Sequence, residues 1–153
     1  MKHIIREALP SDCSAIANLI EQLGYPISPK EMLQQIKLYT DKSDYKVFVM
    51  ECDGNVVAVI SIIFRDHFHR KAKYMKITSL VVDSQYRRQG IGHKLIEYVE
   101  NYAANLGCDF IELTSPTYRA KLGTHDFYKN LGYEDLGDTK RYLAKKINPD
   151  STY

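Results

Sequence analysis

Apolar residues along this chain switch repeatedly between a spacing of two and a spacing of three to four, and each switch marks an element. His3 to Ala8 reads as a short strand, and Pro10-Ser11-Asp12 is a helix start signal. Ala15, Ile16, Leu19, Ile20 and Leu23 then recur at helical spacing until Gly24 stops the run. Ser28-Pro29-Lys30-Glu31 opens a second helix with a cap, a first-turn proline and a glutamate at the capping-box position, and this helix ends near Asp41. Tyr45 to Glu51 and Val56 to Phe64 are strands joined by a hairpin turn at Asp53-Gly54-Asn55. Tyr74 to Val82 is a third strand, and the continuous apolar run Leu80-Val81-Val82 predicts a buried central place for it.

Ile91, Leu95, Ile96, Val99, Tyr102, Ala103 and Leu106 line one side of a third helix, closed by Gly107. Asp109 to Thr114 predicts a strand, Thr124 to Leu131 a short helix ended by Gly132, and Lys140 to Ile147 a last strand. Residues 148–153 read as a flexible tail, leaving residues 1–147 as a single domain. The order β-α-α-β-β-β-loop-α-β-α-β predicts an α+β fold. Its single sheet has an antiparallel half that precedes a strand-helix-strand crossover.

Composition narrows the partners. The chain has 153 residues, 44% hydrophobic and 26% charged, and a formal net charge of +2, which suits a globular domain and gives no general attraction to nucleic acid. Cys13, Cys52 and Cys108 are odd in number and show no CxxC or metal-ligand spacing, so they read as reduced thiols. The first residues, MKHIIREALP, contain no apolar leader, and no run approaches the ~18 apolar residues of a membrane span; a cytoplasmic protein is expected.

Candidate chemistry concentrates in YRRQGIGHK, residues 86–94, between a strand and a helix. The first-turn amides of a helix lack intrahelical partners and the helix dipole favours an anion there. Gly90 and Gly92 let backbone approach a ligand, and Arg87 and Arg88 add donors suited to phosphate oxygens. GxxxxGK[ST], which a P-loop needs, is absent. A dinucleotide fingerprint would need a third glycine where Leu95 stands, although Glu112 falls about where a ribose-binding acid would. The pyrophosphate of coenzyme A is a third phosphate reading, beside the plainer one of a solvated basic turn.

LVVDSQYRRQGIG at 80–92 resembles the acetyl-CoA signature of the GNAT N-acetyltransferase superfamily, Arg/Gln-x-x-Gly-x-Gly/Ala. HDFYKNLGY at 125–133 resembles that superfamily's second signature, and the likeness covers residues 3–147. It implies a single mixed, mostly antiparallel sheet flanked by helices, the GNAT acyl-CoA transferase fold, with acetyl-CoA as cosubstrate and no metal. Pantetheine is implied to lie along Leu80, Val81 and Val82, and the pyrophosphate against Arg87, Arg88, Gln89, Gly90, Ile91 and Gly92. Lys121, where relatives often carry Asn or Arg, is a further cofactor contact; Ser84 and Thr124 also depart from the usual Pro and Ala.

The implied reaction is direct attack of a primary amine, on a small molecule or a peptide, upon the thioester. A backbone N–H near Val82 would steady the developing oxyanion. Tyr128 is the residue matched to the leaving thiolate. Proton transfer from an ordinary phenol of pKa ~10 to a thiolate of ~8.5 is uphill by roughly 2 kcal/mol, so a hydrogen bond is its simpler role. Relatives often carry a carboxylate base on the central strand, whereas Lys76-Ile77-Thr78-Ser79 offers none. Glu112, His67, His69, Asp83 and His125 stay open as bases. The alternative function is a non-catalytic acyl-CoA-binding regulatory module.

His67-Phe68-His69 offers two metal-type ligands without a third, and the surrounding basic, aromatic stretch reads as a hairpin bordering the acceptor pocket. Neither metal, nucleic acid nor membrane is expected as a partner. Dimers are common among relatives, which leaves a homodimer open.

Overall fold

The computed structural model describes residues 2–153 and divides into two compact units, one reaching Thr114 and the other spanning Ser115–Tyr153. In the first, strands β1 (His3–Glu7), β2 (Tyr45–Cys52), β3 (Asn55–Asp66), β4 (Lys73–Val82) and β5 (Phe110–Glu112) form one sheet in the order β1-β2-β3-β4-β5. The first three pairings are antiparallel and β4–β5 is parallel, the mixed and mostly antiparallel sheet expected. Helices α1 (Cys13–Leu23), α2 (Pro29–Thr40) and α3 (Ile91–Asn105) complete it.

Local signals explain these elements. Ser28 Oγ accepts from the Glu31 amide at 3.1 Å while the Ser28 amide donates to Glu31 Oε1 at 3.1 Å, a reciprocal cap that starts α2. Asp53 and Gly54 both have positive φ, 51° and 86°, the requirement of a two-residue hairpin turn between β2 and β3. Ile16 and Leu19 of α1 and Met32 and Ile36 of α2 pack against Val49, Val59 and Val81 on one face of the sheet. Phe48, the neighbour of Val49, points the other way and meets the rings of Tyr98 and Tyr102 on α3, with centroids 5.0 and 5.4 Å apart. The sheet is thus covered on both faces, and β3, buried from Val57 to Ile63, is its most enclosed strand. The apolar run in β4 had predicted that place for β4. Only three residues of β5 flank β4, and beyond them burial falls off, with Thr78 exposed and Leu80 and Val82 half-buried.

An ionic knot ties β1 to α1. Arg6 holds Asp12 with two nitrogens at 2.8 and 2.9 Å and Glu51 at 2.7 Å, and the Leu9 amide donates to Asp12 at 2.7 Å. The Arg6 guanidinium holds the Asp12 carboxyl below the usual range, burial opposes this, and the Leu9 amide reinforces it. Asp12→Ala leaves Arg6 half-buried without its main partner and is expected to cost about 2 kcal/mol in urea unfolding, below a fully buried pair because Arg6 keeps some solvent. Since the folded pKa lies below the unfolded ~3.9, the contribution is complete above that value and is lost as pH falls through the folded one. Asp12→Ala should therefore lose less stability on acidification than the parent.

In the second unit a 3-10 turn at Thr117–Leu122 leads through Gly123 into α4 (Thr124–Asn130). The strand expected at Lys140–Ile147 does not form. Its large apolar residues fall at 142, 143 and 147, not at every second position, and all three are exposed among Lys140, Arg141, Lys145 and Lys146.

Candidate active site

β4 carries two kinds of edge. Its pairing with β5 ends at Lys76–Glu112, while its pairing with β3 continues to Val82–Ala58. The Asp83 amide donates to the Val57 carbonyl at 2.8 Å, which fixes the alternation: Asp83 and Val81 direct their backbone groups at β3, and Leu80 and Val82 direct theirs outward. The outward groups lie beyond the end of the β5 pairing, so they form a short strand edge able to pair with an extended amide-bearing chain. Val81 differs from its two neighbours, with its backbone turned inward and its side chain in the core.

That edge runs directly into the glycine loop. A 3-10 turn at Ser84–Tyr86 is followed by Arg88 at φ 61° and by Gly90 at φ 79°, the residue preceding α3. Left-handed residues alternating with others turn successive amides toward one point, an anion-holding concavity. Gly90 has no side chain to cap the helix, so the first-turn amides are not covered by a capping group. Ile91 anchors the turn with a fully buried side chain, while Arg88, Gln89 and Gly90 are exposed. The region fits a pyrophosphate-bearing ligand with an amide-rich arm. Arg87 has a second task, donating from Nε to the Val82 carbonyl at 3.1 Å and tying loop to strand end.

Gln22 of α1 braces the same loop and had no signal in the sequence. Its Nε2 donates to Asp83 Oδ2 at 3.1 Å and its Oε1 accepts from the Ser84 amide at 3.0 Å. Asp83 also accepts from the Gln85 amide at 2.9 Å. With both oxygens engaged, this carboxylate is a loop cap, not a free base.

The other sequence candidates separate. Glu112 is exposed at the end of β5, in register with Lys76. His67 stacks on Tyr74 at 4.4 Å and lies 5.1 Å from the His69 ring in the β3–β4 hairpin. Among the described residues, no group of three or more His, Cys, Asp or Glu is gathered as a metal ion would need, and no helix is long and apolar enough to cross a membrane. His125 Nε2 lies 3.1 Å from both Ser115 Oγ and the Pro116 carbonyl, which pins α4 to the segment before it. Lys121 is exposed. Tyr128 is half-buried on α4, edge-on to the rings of Phe127 and Tyr133 at 5.1 and 5.5 Å. Burial pushes its phenol up to about 12, against a small opposing pull from Arg119. Tyr128 is therefore protonated throughout the physiological range and can act as a donor.

Comparison with known proteins agrees with this geometry. A family model described as acetyltransferase (GNAT) family matches residues 7–133. A thialysine N-epsilon-acetyltransferase of Mus musculus is 26% identical over 160 residues, covering 96% of this chain and 93% of the relative. A GNAT family acetyltransferase of Staphylococcus aureus superposes with a TM-score of 0.79 at 23% identity, covering 96% and 100% of the two chains. The aminoglycoside N-acetyltransferase AAC(6')-Iy, solved in complex with CoA, gives a TM-score of 0.81 at 17% identity, covering 96% and 95%.

Proposed function

The chain belongs to the acetyltransferase (GNAT) family, and on that basis we propose that it moves an acetyl group from acetyl-CoA to a primary amine, on a small molecule or a peptide, by direct attack with both substrates bound. The observation that carries this reading is the outward edge at Leu80 and Val82 leading into the left-handed turn before α3. Leu80 offers both backbone groups to the pantetheine amides. The carbonyl of Val82 is taken by Arg87, which leaves its N–H as the donor aimed at the carbonyl oxygen that gains charge in the transition state. The amides from Gln89 to Gly92, with the side chains of Arg87 and Arg88, receive the pyrophosphate. Tyr128, matched to the family's second signature, is assigned the hydrogen bond to the departing sulfur. The strand edge and the glycine loop hold the acetyl donor in one geometry, and such positioning removes several kcal/mol from the barrier.

The reading is tested by calorimetric titration with CoA and by thiol release from acetyl-CoA over a panel of amines. The panel holds thialysine, aminoglycosides, polyamines, amino acids and peptides. Binding of CoA and release with at least one amine are expected. Absence of CoA binding would overturn the proposal at its root, and CoA binding without release for any amine would reduce the chain to an acyl-CoA-binding module.

A further inference from the structure

At the middle of the sheet, β4 carries one extra residue relative to β3. Ser61 faces Ser79 and Ile62 faces Ile77, so Thr78 is left over as a bulge. A bulge puts two neighbouring side chains on the same side opposite one residue of the partner strand. Here all three positions are hydroxyls. Ser61 Oγ lies 2.6 Å from Thr78 Oγ1 and within hydrogen-bond reach of Ser79 Oγ. Thr78 Oγ1 donates to the Ser61 carbonyl at 3.2 Å, and the Tyr39 hydroxyl, from α2, approaches Thr78 at 3.3 Å. Ser61 is buried, Tyr39 and Ser79 are half-buried, and Thr78 is exposed. The cluster sits one residue before the outward edge that begins at Leu80.

The proton count gives the cluster a polarity. Four hydroxyls supply four protons, and the contacts are three between hydroxyls and one to the Ser61 carbonyl. With that carbonyl as the sink, Tyr39 donates to Thr78, Thr78 to the carbonyl, Ser61 to Thr78 and Ser79 to Ser61. The outer oxygens of Tyr39 and Ser79 are then left with lone pairs and no proton to offer. Such a surface welcomes N–H donors. It carries no charge, because the hydrogen bonds of the four hydroxyls run only to one another and to the Ser61 carbonyl among the described residues.

Among the described residues, no titratable side chain of the neighbouring elements hydrogen-bonds to the cluster. Tyr45 of β2 stacks edge-on against Tyr39 at 4.9 Å with Lys42 over its ring, Asp41 follows the end of α2, and Lys76 precedes the bulge on β4. Glu112 on β5 is in register with Lys76, and the far ends of β3 and β4 carry Arg65, Asp66 and Lys73.

We infer that the hydroxyl cluster Tyr39–Thr78–Ser61–Ser79 receives the acceptor's amino group and takes it in the neutral form, so that the preferred substrates are weakly basic amines such as the α-amines of amino acids and peptides. The inference rests on the acetyltransferase reading and adds the acceptor class to it. The step balances without a further reactant: the neutral nitrogen bonds to the acetyl carbon, the C–S bond breaks, and the nitrogen's proton ends on the sulfur as free thiol. Tyr39 and Ser79 contact the amine through their free lone pairs, and Thr78 and Ser61 are positioning residues that orient them. At pH 7.5 about a third of an α-amine of pKa ~7.8 is neutral, against ~0.1% of a lysine-type amine of pKa ~10.4, a ratio of a few hundredfold.

The test pairs two acceptors, a dipeptide amide with a free α-amine and an Nα-acetyl-lysine amide, in kcat/KM profiles from pH 6 to 10. Each profile should rise tenfold per pH unit and level at the acceptor's own pKa, with the α-amine favoured at least fiftyfold at pH 7.5. Thr78→Val, nearly isosteric and exposed, should lower kcat/KM for the amine about twentyfold. Its CoA affinity by calorimetry should stay within twofold, and Thr78→Ser should recover most of the loss. Ser61→Ala should give a smaller loss with the same retention of CoA. Profiles that level at one pH for both acceptors would reveal a protein base and overturn the inference, as would full activity in Thr78→Val. Either result leaves the acetyltransferase reading standing, whereas a wild-type chain that fails to bind CoA removes both.

Discussion

Tyr128→Phe is expected to lower kcat about a hundredfold while the Kd for CoA moves less than threefold. The phenylalanine ring keeps the edge contacts with Phe127 and Tyr133, so α4 should retain its packing and only the hydroxyl is lost. Two roles for that hydroxyl predict different pH behaviour. Against a thiolate of pKa ~8.5, a phenol pushed up to about 12 would give up its proton at a cost of about 5 kcal/mol, more than twice the figure for an unperturbed tyrosine. Donation of a hydrogen bond to the charge that develops on sulfur requires no such transfer, and loss of one such donor is worth roughly 10²–10³ in kcat. The hydrogen bond wins. Because the phenol stays protonated to well above pH 10, no loss of kcat below that pH should be traceable to it. Steady-state kinetics with calorimetry decide the matter: unchanged kcat removes Tyr128 from the reaction, and a parallel loss of CoA affinity makes it a binding residue.

The parts of this molecule that could be read from the chain alone are those whose signal is local. Ser28 and Glu31 are three residues apart, Asp53 and Gly54 adjacent, and the loop at 86–94 announces itself by two arginines and two glycines between a strand and a helix. Features built from distant partners left no such mark. Gln22 reaches residues more than sixty positions away and looks like any polar residue near a helix end. The bulge at Thr78 is a slip of one residue in pairing with β3, and a slip changes no composition. It does interrupt the alternation of burial along β4, where Thr78 is exposed and Ser79 half-buried beside it. Lys140–Ile147 erred in the opposite direction, since apolar content there suggested a strand without the spacing that lets one face be buried. Asp83, open from the sequence as one of five possible bases, shows the same limit for chemistry: the hydrogen bonds that make it a loop cap come partly from Gln22, far away in the chain.

Gly90→Val is expected to weaken CoA binding about a hundredfold, and the reason is conformational rather than steric. A Cβ at Gly90 would meet nothing within 4 Å, so the folded chain has room for the side chain. The obstacle is φ of 79°, which a β-branched residue adopts only at a cost of roughly 2 kcal/mol or more. The valine would relax toward negative φ and turn the amides that follow it away from the proposed pyrophosphate position. Arg88, already left-handed at φ 61°, cannot compensate, because alternation of the two residues is what aims the amides. Gly90→Asn separates shape from strain, since asparagine tolerates the left-handed region and should keep CoA affinity within about fivefold. Gly90→Ala should fall between the two. The ordering Gly, Asn, Ala, Val by calorimetry is the expected result. Equal affinity across the series would show that the left-handed turn does not hold the pyrophosphate. A loss that tracked side-chain volume instead, with Asn as poor as Val, would replace conformational strain by direct obstruction of the ligand.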